Sequence, residues 1–488
     1  MDVTRENFKT ALSEFKRAIE ACDFVAMDME MTGLYENREQ QPNRMDTKEE
    51  RYAKLKRGVE TYGVIQVGIC MFTWTEAAEE QRLHGGSAEK SEGEEEGGYY
   101  EARPFSFNVF PCTSVGRMPV EMHFGFKNTA FEFLARNSFD FNKWVYSGIP
   151  YLRSDDAERI RAERAALFTN RQVMAVADDR ISRAFVRDFE RALKVFVDSG
   201  ERTMRYETAN GYQRKIVHDI VGRHDTLGTR GLDRNVEIFR ATKKEMAKFA
   251  AKKLKLLDAS IDDARGFCAV IDLLSKARKP VVGHNMPLDV LHAFSKFHEA
   301  LPATSAAFEQ AMSRFLPVLI DTKYIIESTP GIKARYRTSN LDEIAPMLEQ
   351  EAARESSQPL IRNHPRFTRH ANQAMHEAGF DAYMTGATFI RLLKLDGGID
   401  LSASVAHSGE YGSELVLYRY INKLYMALGD SLYWQIDGSG DSRGSSAAAA
   451  SPHSASNEAL DSTTSSMEDP DAGEDTPHYA HDTVLLQG

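Results

Sequence analysis

Short apolar runs alternate with charged stretches of helical periodicity along most of the chain. Residues 24–30 (FVAMDME), 64–74 (VIQVGICMFTW) and 105–111 (FSFNVFP) are apolar runs rich in β-branched and aromatic residues, and each predicts a β-strand. The run PVVGHNMPLDVLHAFSKF, from Pro280, predicts a short buried strand that turns into a helix, and residues 378–393 predict another helix. Strands mixed with helices in this way favour an α/β layered core.

The middle of the chain interrupts this pattern. Residues 153–248 carry 21 basic and 16 acidic residues, and the segment RISRAFVRDFERALKVFV within them has the periodicity of a helix. The strand pattern resumes afterwards, in PVLIDTKYI around Asp321. We therefore predict that a helical or α+β domain is inserted into the α/β core.

Two segments are too polar to be buried. The Gly/Glu-rich residues 76–97 predict a long hairpin loop, and the Ser/Ala/Asp-rich residues 438–488 predict a disordered tail. The loop carries a charge of −6 and the tail −8 in a chain of net charge −11, so the remaining residues carry +3. A slightly basic body can still bind phosphate groups.

The composition is that of a soluble globular protein, with 42% hydrophobic and 10% aromatic residues. A chain of 488 residues predicts two or three domains. No apolar run approaches the roughly 20 residues needed to cross a bilayer, so we expect no membrane association. The cysteines are far apart, which argues against a zinc site or a disulfide framework and favours buried thiols in the cytoplasm and/or nucleus. They are Cys22, Cys70, Cys112 and Cys268.

Acidic residues occur at the ends of several predicted elements. Asp28 and Glu30 are two positions apart on a strand, so their side chains share one face. Asp289 follows VVGHN among apolar neighbours, where a solvated charge has no ordinary place. In HEAGFDAYMTGATFI, we expect His376 in the turn before a helix and Asp381 in the first turns of that helix. The alternatives are a solvated strand end for the first pair and a dipole-favoured helix N-terminus for Asp289.

Converging carboxylates can hold two divalent ions about 3.5–4 Å apart, which activate water and stabilise charge during phosphodiester hydrolysis. His376 is then a candidate general base, because the pKa of histidine lies near neutral pH, although a lone histidine is more often structural. We expect His284, in VVGHN, to orient the loop before Asp289. The chain has no GxxxxGK[ST], GxSxG or HExxH motif that competes with this set.

These motifs resemble those of the poly(A)-specific ribonuclease family, which are deadenylases of the DEDD exonuclease class with a histidine in the last motif. The family pattern is D-x-E, GHN-x-x-x-D and HEAG-[YF]-DA-Y-x-TG, and this chain reads DMEMTGL, GHNMPLD and HEAGFDAYMTG. The likeness covers nearly all of residues 20–437, including EERYAKLK, FNKWVYSGIPYL, IDTKYI and INKLYMA. It implies a ribonuclease-H-like α/β nuclease core with an inserted small α/β nucleic-acid-binding domain of the Arg-x-x-x-His type.

The resemblance also implies a role for individual residues. The metal ligands would be Asp28, Glu30, Asp289 and Asp381, holding two Mg²⁺ ions per active site with Mn²⁺ as a substitute, and His376 would be the general base. The RNA-binding residues would be Met31, Leu34, Phe110, Asn285, Lys323, Arg214, Lys215 and His218.

Within the insertion, Arg214 and His218 have the spacing of the Arg-x-x-x-His motif and lie one helical turn apart, so they could share a face toward phosphate. The alternative is an ordinary polar helix face. The implied organisation is a nuclease domain that the insertion divides. Its N-terminal half is residues 1–152, the inserted domain is 153–250, the C-terminal half is 251–437 and the tail is 438–488.

The implied function is that of a 3′→5′ exoribonuclease that shortens poly(A) tails, by two-metal hydrolysis with release of 5′-AMP. Its partner would be single-stranded RNA with a 3′ poly(A) end, and the chain would form a homodimer. Two departures from the family matter: Met31 stands where an aromatic residue is common, and low complexity after Asp437 replaces a cap-binding RNA-recognition domain, which argues against cap binding. The alternatives are 3′-end trimming of small non-coding or silencing RNAs and a catalytically degenerate RNA-binding scaffold.

Overall fold

The computed structural model describes residues 1–76, 98–116, 118–169, 180–354, 360–367, 376–396, 416–429 and 431–436. The helices in these ranges are α1 (Phe8–Ala21), α2 (Lys48–Thr61), α3 (Asn128–Arg136), α4 (Phe141–Ser147), α5 (Ser154–Thr169), α6 (Arg180–Ser199), α7 (Gly211–Gly222), α8 (Lys243–Arg265), α9 (Cys268–Ala277), α10 (Pro287–Phe297), α11 (Ser305–Phe315), α12 (Thr322–Ser328), α13 (Pro330–Tyr336), α14 (Leu341–Ala352) and α15 (Ala378–Leu395).

The strands in the same ranges are β1 (Asp2–Val3), β2 (Phe24–Met31), β3 (Val64–Thr75), β4 (Tyr99–Pro111), β5 (Ser114–Val115), β6 (Met118–Pro119), β7 (Ile149–Tyr151), β8 (Thr203–Glu207), β9 (Leu227–Leu232), β10 (Asn235–Arg240), β11 (Val281–Gly283), β12 (Leu319–Asp321), β13 (Leu360–Asn363), β14 (Lys423–Leu428) and β15 (Ser431–Gln435). The predicted strands are confirmed, as is the predicted helix after residue 378.

A mixed sheet forms the centre of the molecule. Its central strands lie in the order β4-β3-β2-β11-β12. The β2–β3 and β3–β4 pairs are antiparallel, whereas β2–β11 and β11–β12 are parallel. The parallel half places the C-terminal ends of β2, β11 and β12 at one edge, where the chain leaves each strand. The predicted α/β class is therefore confirmed.

Hydrophobic clusters cover both faces of this sheet. On β2, Val25 and Met27 face a core built with α1, α2, α9 and α10, while Phe24 and Ala26 face a second core built with α12, α14 and α15. This alternation follows from the period of two in a strand. Since Asp28 and Glu30 continue the Phe24 face, they point to the side on which α15 packs.

Part of the basic middle region folds around a core of its own. Strands β8, β10 and β9 form an antiparallel sheet, against which α6 and α7 pack. Buried side chains in this small unit include Phe189, Ile216, Val217 and Val236. Helix α8 (Lys243–Arg265) continues past the predicted domain boundary between residues 250 and 251, so that boundary falls inside a helix.

Other predictions concern the cysteines and the polar segments. All four cysteines are buried and free, which confirms the prediction of buried thiols. Apart from Glu76, the predicted hairpin loop lies outside the described residues, and so does the whole predicted tail. Within the described ranges, no helix combines the length and the apolar character that spanning a membrane requires.

Candidate active site

The C-terminal half of β2 brings two carboxylates to the edge of the sheet. Asp28 and Glu30 lie two positions apart on this strand, and Glu30 is buried while Asp28 is partly exposed. Their carboxylate oxygens and one of Asp381 lie within 4.8 Å of one another. The prediction that Asp28 and Glu30 share a face is therefore confirmed, and the face carries a third acid from a residue more than 300 positions away.

Asp381 reaches this edge because α15 begins directly on the sheet. A Cβ at Gly68 of β3 would lie 1.7 Å from the carbonyl oxygen of Ala378, and a Cβ at Gly379 would lie 2.1 Å from Ser106 Oγ. Only glycine permits so close an approach of strand and helix. Asp381 lies in the first turn of α15, as predicted, and is buried.

Asp289 enters from the opposite side of β2. It lies in the first turn of α10, which begins with Pro287 at a position where a missing N–H has no cost. Burial, and then the negative charge of Asp28, raise the pKa of Asp289 well above its ordinary value, and the backbone N–H of Met29 opposes that rise. The structure thus combines both readings of Asp289, as a helix N-terminal acid and as a neighbour of the carboxylates on β2.

The loop before Asp289 is held by a buried carboxylate. Asp321, at the end of β12, accepts backbone N–H groups from Asn285 at 2.9 Å and Met286 at 3.1 Å. The same side chain accepts from Lys323 at 3.0 Å and Tyr425 at 2.9 Å. One carboxylate therefore ties β12, the GHN loop and the C-terminal hairpin together.

His284 has the orienting role predicted for it, since its Nδ1 lies 2.9 Å from Thr322 Oγ1 across the loop. The hydroxyl of Thr322 also donates to the carbonyl of Gly283 at 3.1 Å. Burial lowers the pKa of His284 to about 3, so the ring is neutral.

The grouped acids repel one another in a site from which water is largely excluded. Burial raises the pKa of Asp28 to about 7, with a smaller contribution from Asp342. Burial and then the charge of Asp28 raise the pKa of Asp381 and Glu30 well above their ordinary values. Such mutual repulsion without a neutralising cation is unfavourable, and it is typical of sites that bind a cation or a proton.

The oxygen atoms of this group are suited to a divalent cation. Asp289 Oδ1 and Asp381 Oδ1 are buried and have no hydrogen-bond partner among the described residues. Carboxylate oxygens are the ligands that hard cations such as Mg²⁺ prefer. Buried acceptors that lack a donor fit a cation that completes their coordination, so the residues present fit the predicted metal.

His376 precedes α15 and has a left-handed backbone conformation, with φ of 74°. Its ring is half-buried and packs edge-on against Phe133, with 4.7 Å between ring centroids. Burial lowers its pKa, and the charge of Asp342 opposes that shift. With its pKa lowered, the imidazole is neutral at neutral pH and can accept a proton, and the residue lies just before the helix that carries Asp381.

A small pocket opens beside Glu30, and two predicted RNA-binding residues line it. Met31 and Leu34 form its wall together with Phe133, the residue against which His376 packs. Phe110 is not among the lining residues. Its ring lies 5.2 Å from that of Trp144, in an aromatic cluster to which Phe133 of the pocket wall also belongs.

Two further predicted RNA-binding residues lie in the loops around Asp321. Asn285 has a left-handed conformation, with φ of 56°, and is partly exposed next to the GHN turn. The ammonium of Lys323 lies 5.1 Å from the centre of the Tyr425 ring, and burial lowers its pKa. Both residues lie close to the GHN loop, and the backbone N–H group of each donates to Asp321, which holds that loop.

The three predicted residues of the insertion lie on α7. Arg214 donates to the carbonyl of Asp233 at 2.6 Å, and His218 Nδ1 lies 2.7 Å from Thr229 Oγ1. Arg214 thus contacts the turn between β9 and β10, and His218 contacts β9, both within their own unit, whereas Lys215 is exposed.

Sequence reasoning missed three residues that shape the site. Gln66 accepts the backbone N–H of Ala378 at 2.9 Å, and Asp321 holds the GHN loop. Asp342, at the start of α14, lies near enough to affect the pKa of Asp28, Asp381 and His376. A polar residue inside the apolar run VIQVGIC was a usable signal for Gln66, but the sequence around Asp342 carries none.

Comparisons with known proteins give relatives of similar sequence over most of the chain. The chain is 28% identical over 467 residues to the poly(A)-specific ribonuclease PARN of Xenopus laevis, covering 90% of this chain and 69% of that protein. It is also 28% identical over 464 residues to PARN of Homo sapiens, covering 90% and 68%. The pre-piRNA 3′-exonuclease trimmer of Bombyx mori is 28% identical over 409 residues, covering 80% and 71%.

Among solved structures, the Mg²⁺- and Mn²⁺-bound form of S. pombe Pop2p is 16% identical and gives a TM-score of 0.39, covering 87% of this chain and 98% of that one. A model of the CAF1 family of ribonucleases matches residues 3–389, which include every carboxylate of the candidate site. The match spans most of the chain, and this protein therefore belongs to the CAF1 ribonuclease family.

Proposed function

We propose that this protein is a metal-dependent 3′→5′ exoribonuclease that shortens poly(A) tails and releases 5′-AMP. The observation that carries the proposal is the convergence of Asp28, Glu30 and Asp381, whose oxygens lie within 4.8 Å of one another, in a chain of a ribonuclease family. The poly(A) preference is supported by the likeness to proteins named poly(A)-specific ribonuclease.

Asp28, Glu30, Asp289 and Asp381 would hold two Mg²⁺ ions, with Mn²⁺ as a substitute. Bound divalent ions supply a more acidic water and stabilise the charge that develops on the attacking and leaving oxygens. The buried oxygens of Asp289 and Asp381 that lack hydrogen-bond partners support this ligand set. Phosphodiester hydrolysis breaks the P–O3′ bond, adds hydroxide to phosphorus and returns a proton to the departing 3′ oxygen.

His376 would accept the proton of the attacking water. Its ring is neutral because burial lowers its pKa, and its contact with Phe133 sets the ring plane. A positioned histidine base contributes about 10²–10⁴-fold to such a reaction. Met31 and Leu34 would contact the terminal base in the pocket beside Glu30 through their apolar side chains.

The finer description of the fold is part of the same proposal. The strand order β4-β3-β2-β11-β12, with only β3 antiparallel to its neighbours, supports a ribonuclease-H-like nuclease core. The unit formed by α6, α7 and β8–β10 would be the nucleic-acid-binding domain of the Arg-x-x-x-His type, since Arg214 and His218 lie on its helix α7.

A homodimer is also proposed. Val145 and Tyr146, on the short helix α4, are exposed large side chains next to an aromatic cluster, and burying such apolar surface favours association. Sedimentation of the purified chain would test this, and a monomer at all concentrations would exclude it.

Digestion of matched RNAs that end in A, U or C tails, with Mg²⁺ present, tests the function. We expect stepwise release of 5′-AMP from the A-tailed RNA at a clearly higher rate than release from the other two. Equal rates on all tails would favour 3′-end trimming of small RNAs, which the likeness to the Bombyx mori trimmer supports as a second candidate. Binding without any release would instead indicate a scaffold.

A further inference from the structure

A second polar cavity lies outside the carboxylate site. Its volume is about 220 Å³, and it opens between the start of β3, the end of β4, the end of α10 and the start of α5. Glu60, Tyr151, Arg153, Asp156 and Lys296 are among its lining residues, with the exposed His123 at its edge. None of these residues lines the pocket beside Glu30.

Lys296 is the charged residue of this cavity for which the described residues provide no ion-pair partner. It lies in the last turn of α10 and is partly buried. Among the residues that the structure describes, no group accepts a hydrogen bond from its ammonium or forms an ion pair with it. Burial, and then the charge of Arg153, lower the pKa of Lys296 to about 8.

The other charged residues of the cavity already have partners. The guanidinium of Arg153 contacts Asp155 and Asp156, each at 3.0 Å. Glu60 pairs with Lys56 at 2.5 Å, so it only partly offsets the positive charge near Lys296. An unpaired ammonium in a partly desolvated position destabilises the folded chain. An anion of matching size would remove that cost.

We propose that this cavity binds a phosphate group, with the Lys296 ammonium as its cationic partner. At about 220 Å³, the cavity is below the roughly 300–1,000 Å³ of pockets for drug-sized ligands and suits a small anion. Tyr151 and His123, which also line the cavity, are residue types whose side chains carry further hydrogen-bond donors. The bound group is either a free phosphate or a phosphate of the RNA backbone.

The position of the cavity makes a phosphate of the RNA backbone a candidate ligand. Gly63, which lines the cavity, donates its N–H to Thr32 Oγ1 at 2.8 Å and accepts from the N–H of Thr32 at 2.9 Å. Thr32 directly follows Met31, which lines the pocket beside Glu30. The two cavities therefore lie on either side of the Thr32–Gly63 contact, where β2 ends and β3 begins.

Competitive acylation of lysines, read by peptide mass spectrometry across pH, tests the proposal on the full chain without metal. Only the neutral amine reacts, so the reaction of Lys296 should have a midpoint near pH 8. Inorganic phosphate should move that midpoint upward, and a rise of one pKa unit slows acylation at pH 8 about fivefold. Exposed Lys252 is the control, and chloride at equal ionic strength corrects for screening.

The ligand arms separate the two sources. Slower acylation with inorganic phosphate alone supports a site for free phosphate, and slower acylation with metal-free oligo(A) supports contact with the RNA backbone. No slowing by either ligand would overturn the proposal. Because the readout is local to Lys296 and requires no turnover, it does not depend on whether the chain degrades poly(A).

A variant provides a second, independent measurement. Lys296→Met keeps the aliphatic length but removes the charge, so phosphate should no longer raise the thermal midpoint of the variant, while it should still raise that of Lys252→Met. An equal phosphate-induced rise in wild type, Lys296→Met and Lys252→Met would place the anion elsewhere and refute the proposal.

Discussion

The side-chain oxygen Oε1 of Gln66 accepts the backbone N–H of Ala378 at 2.9 Å. Gln66 lies on β3 directly opposite Glu30 of β2, and Ala378 is the first residue of the helix that carries Asp381. The residue that precedes this helix makes no capping bond with its side chain, so the glutamine takes that place from a neighbouring strand. The amide of Gln66 also donates to Asn108 at 3.4 Å, which fixes its orientation.

Replacing this glutamine should impair both stability and turnover. In Gln66→Met the volume is nearly kept, but the N–H of Ala378 is left buried without an acceptor, which costs about 1–3 kcal/mol. The start of α15 should then shift relative to β2, and a displacement of about 1 Å can lower turnover by as much as about 10²-fold. Urea unfolding and single-turnover cleavage measure the two effects.

If the role of Gln66 is purely structural, its replacement should lower the stability of the fold without lowering turnover. Thr388→Val, farther along the same helix, removes a buried hydroxyl that has no hydrogen-bond partner among the described residues and serves as the control. It should leave turnover unchanged. If Gln66→Met loses stability but cleaves RNA at the wild-type rate, Gln66 does not position Asp381.

Asp28→Asn and Asp381→Asn should each abolish cleavage while RNA binding survives. Both residues belong to the acidic group within which oxygens lie 4.8 Å apart or less, and an amide cannot replace a carboxylate as a charged ligand for a hard cation. Cleavage of labelled oligo(A) and its binding by fluorescence anisotropy give the two readouts. Activity above roughly a few per cent of wild type in either variant would exclude the metal assignment.

His376→Ala should lower the rate by about 10²–10⁴-fold with little change in metal affinity, because the ring would act on the proton of the attacking water. His376→Gln, which keeps a hydrogen-bonding group, should recover little of the rate since it cannot take up a proton. Isothermal titration with Mn²⁺ gives the metal affinity. A collapse of that affinity would instead make His376 a metal ligand.

The stability of the metal-free protein should fall as the pH rises from about 4 to 7. The folded-state pKa of Asp28 is raised to about 7, above the ordinary value of about 3.9, so folding favours the protonated form. The stabilisation that protonated Asp28 gives the folded state is complete below the unfolded-state pKa of this residue. It is lost as the pH rises through the folded-state pKa.

Urea unfolding in the presence of a chelator, at pH 5 and at pH 7.5, measures this effect. Asp28→Asn should flatten the pH dependence, and Mg²⁺ should raise the stability of wild type at pH 7.5, because it binds only the folded state. If the stability of wild type and variant depended equally on pH, the carboxylates of the site would not repel one another as inferred.

In the insertion, Lys215→Ala and Arg214→Ala should differ in effect. Lys215 is exposed, so its removal should weaken RNA binding and reduce the salt slope by about 0.7 if it contacts one phosphate of a single strand. Arg214 donates to the carbonyl of Asp233, so its removal should mainly destabilise the small unit. Titrations against oligo(A) at several salt concentrations measure RNA binding, and thermal unfolding measures stability. If Arg214 were the phosphate contact, Arg214→Ala rather than Lys215→Ala would weaken binding and reduce the salt slope.

Local patterns in the sequence predicted the elements that carry the site. Alternation along β2 places Asp28 and Glu30 on one face, and the apolar run before Asp289 predicts the strand and helix that hold it. The position of His376 just outside a helix also follows from the sequence, because five positions along a helix do not bring His376 and Asp381 to one face. These predictions succeed because the periods of strands and helices depend on neighbouring residues only.

The strand order and the partners of each side chain were decided by tertiary structure alone. No local pattern shows that Gln66 caps a helix more than 300 residues later, or that Asp321 receives four backbone N–H groups from three segments. For the same reason the sequence does not show that Arg214 contacts its own unit, or that Lys296 lines a cavity without a hydrogen-bond or ion-pair partner among the described residues. Periodicity tells which face of an element is buried, but only the packing of distant elements determines what that face meets, because each contact closes a loop whose ends the local sequence does not relate.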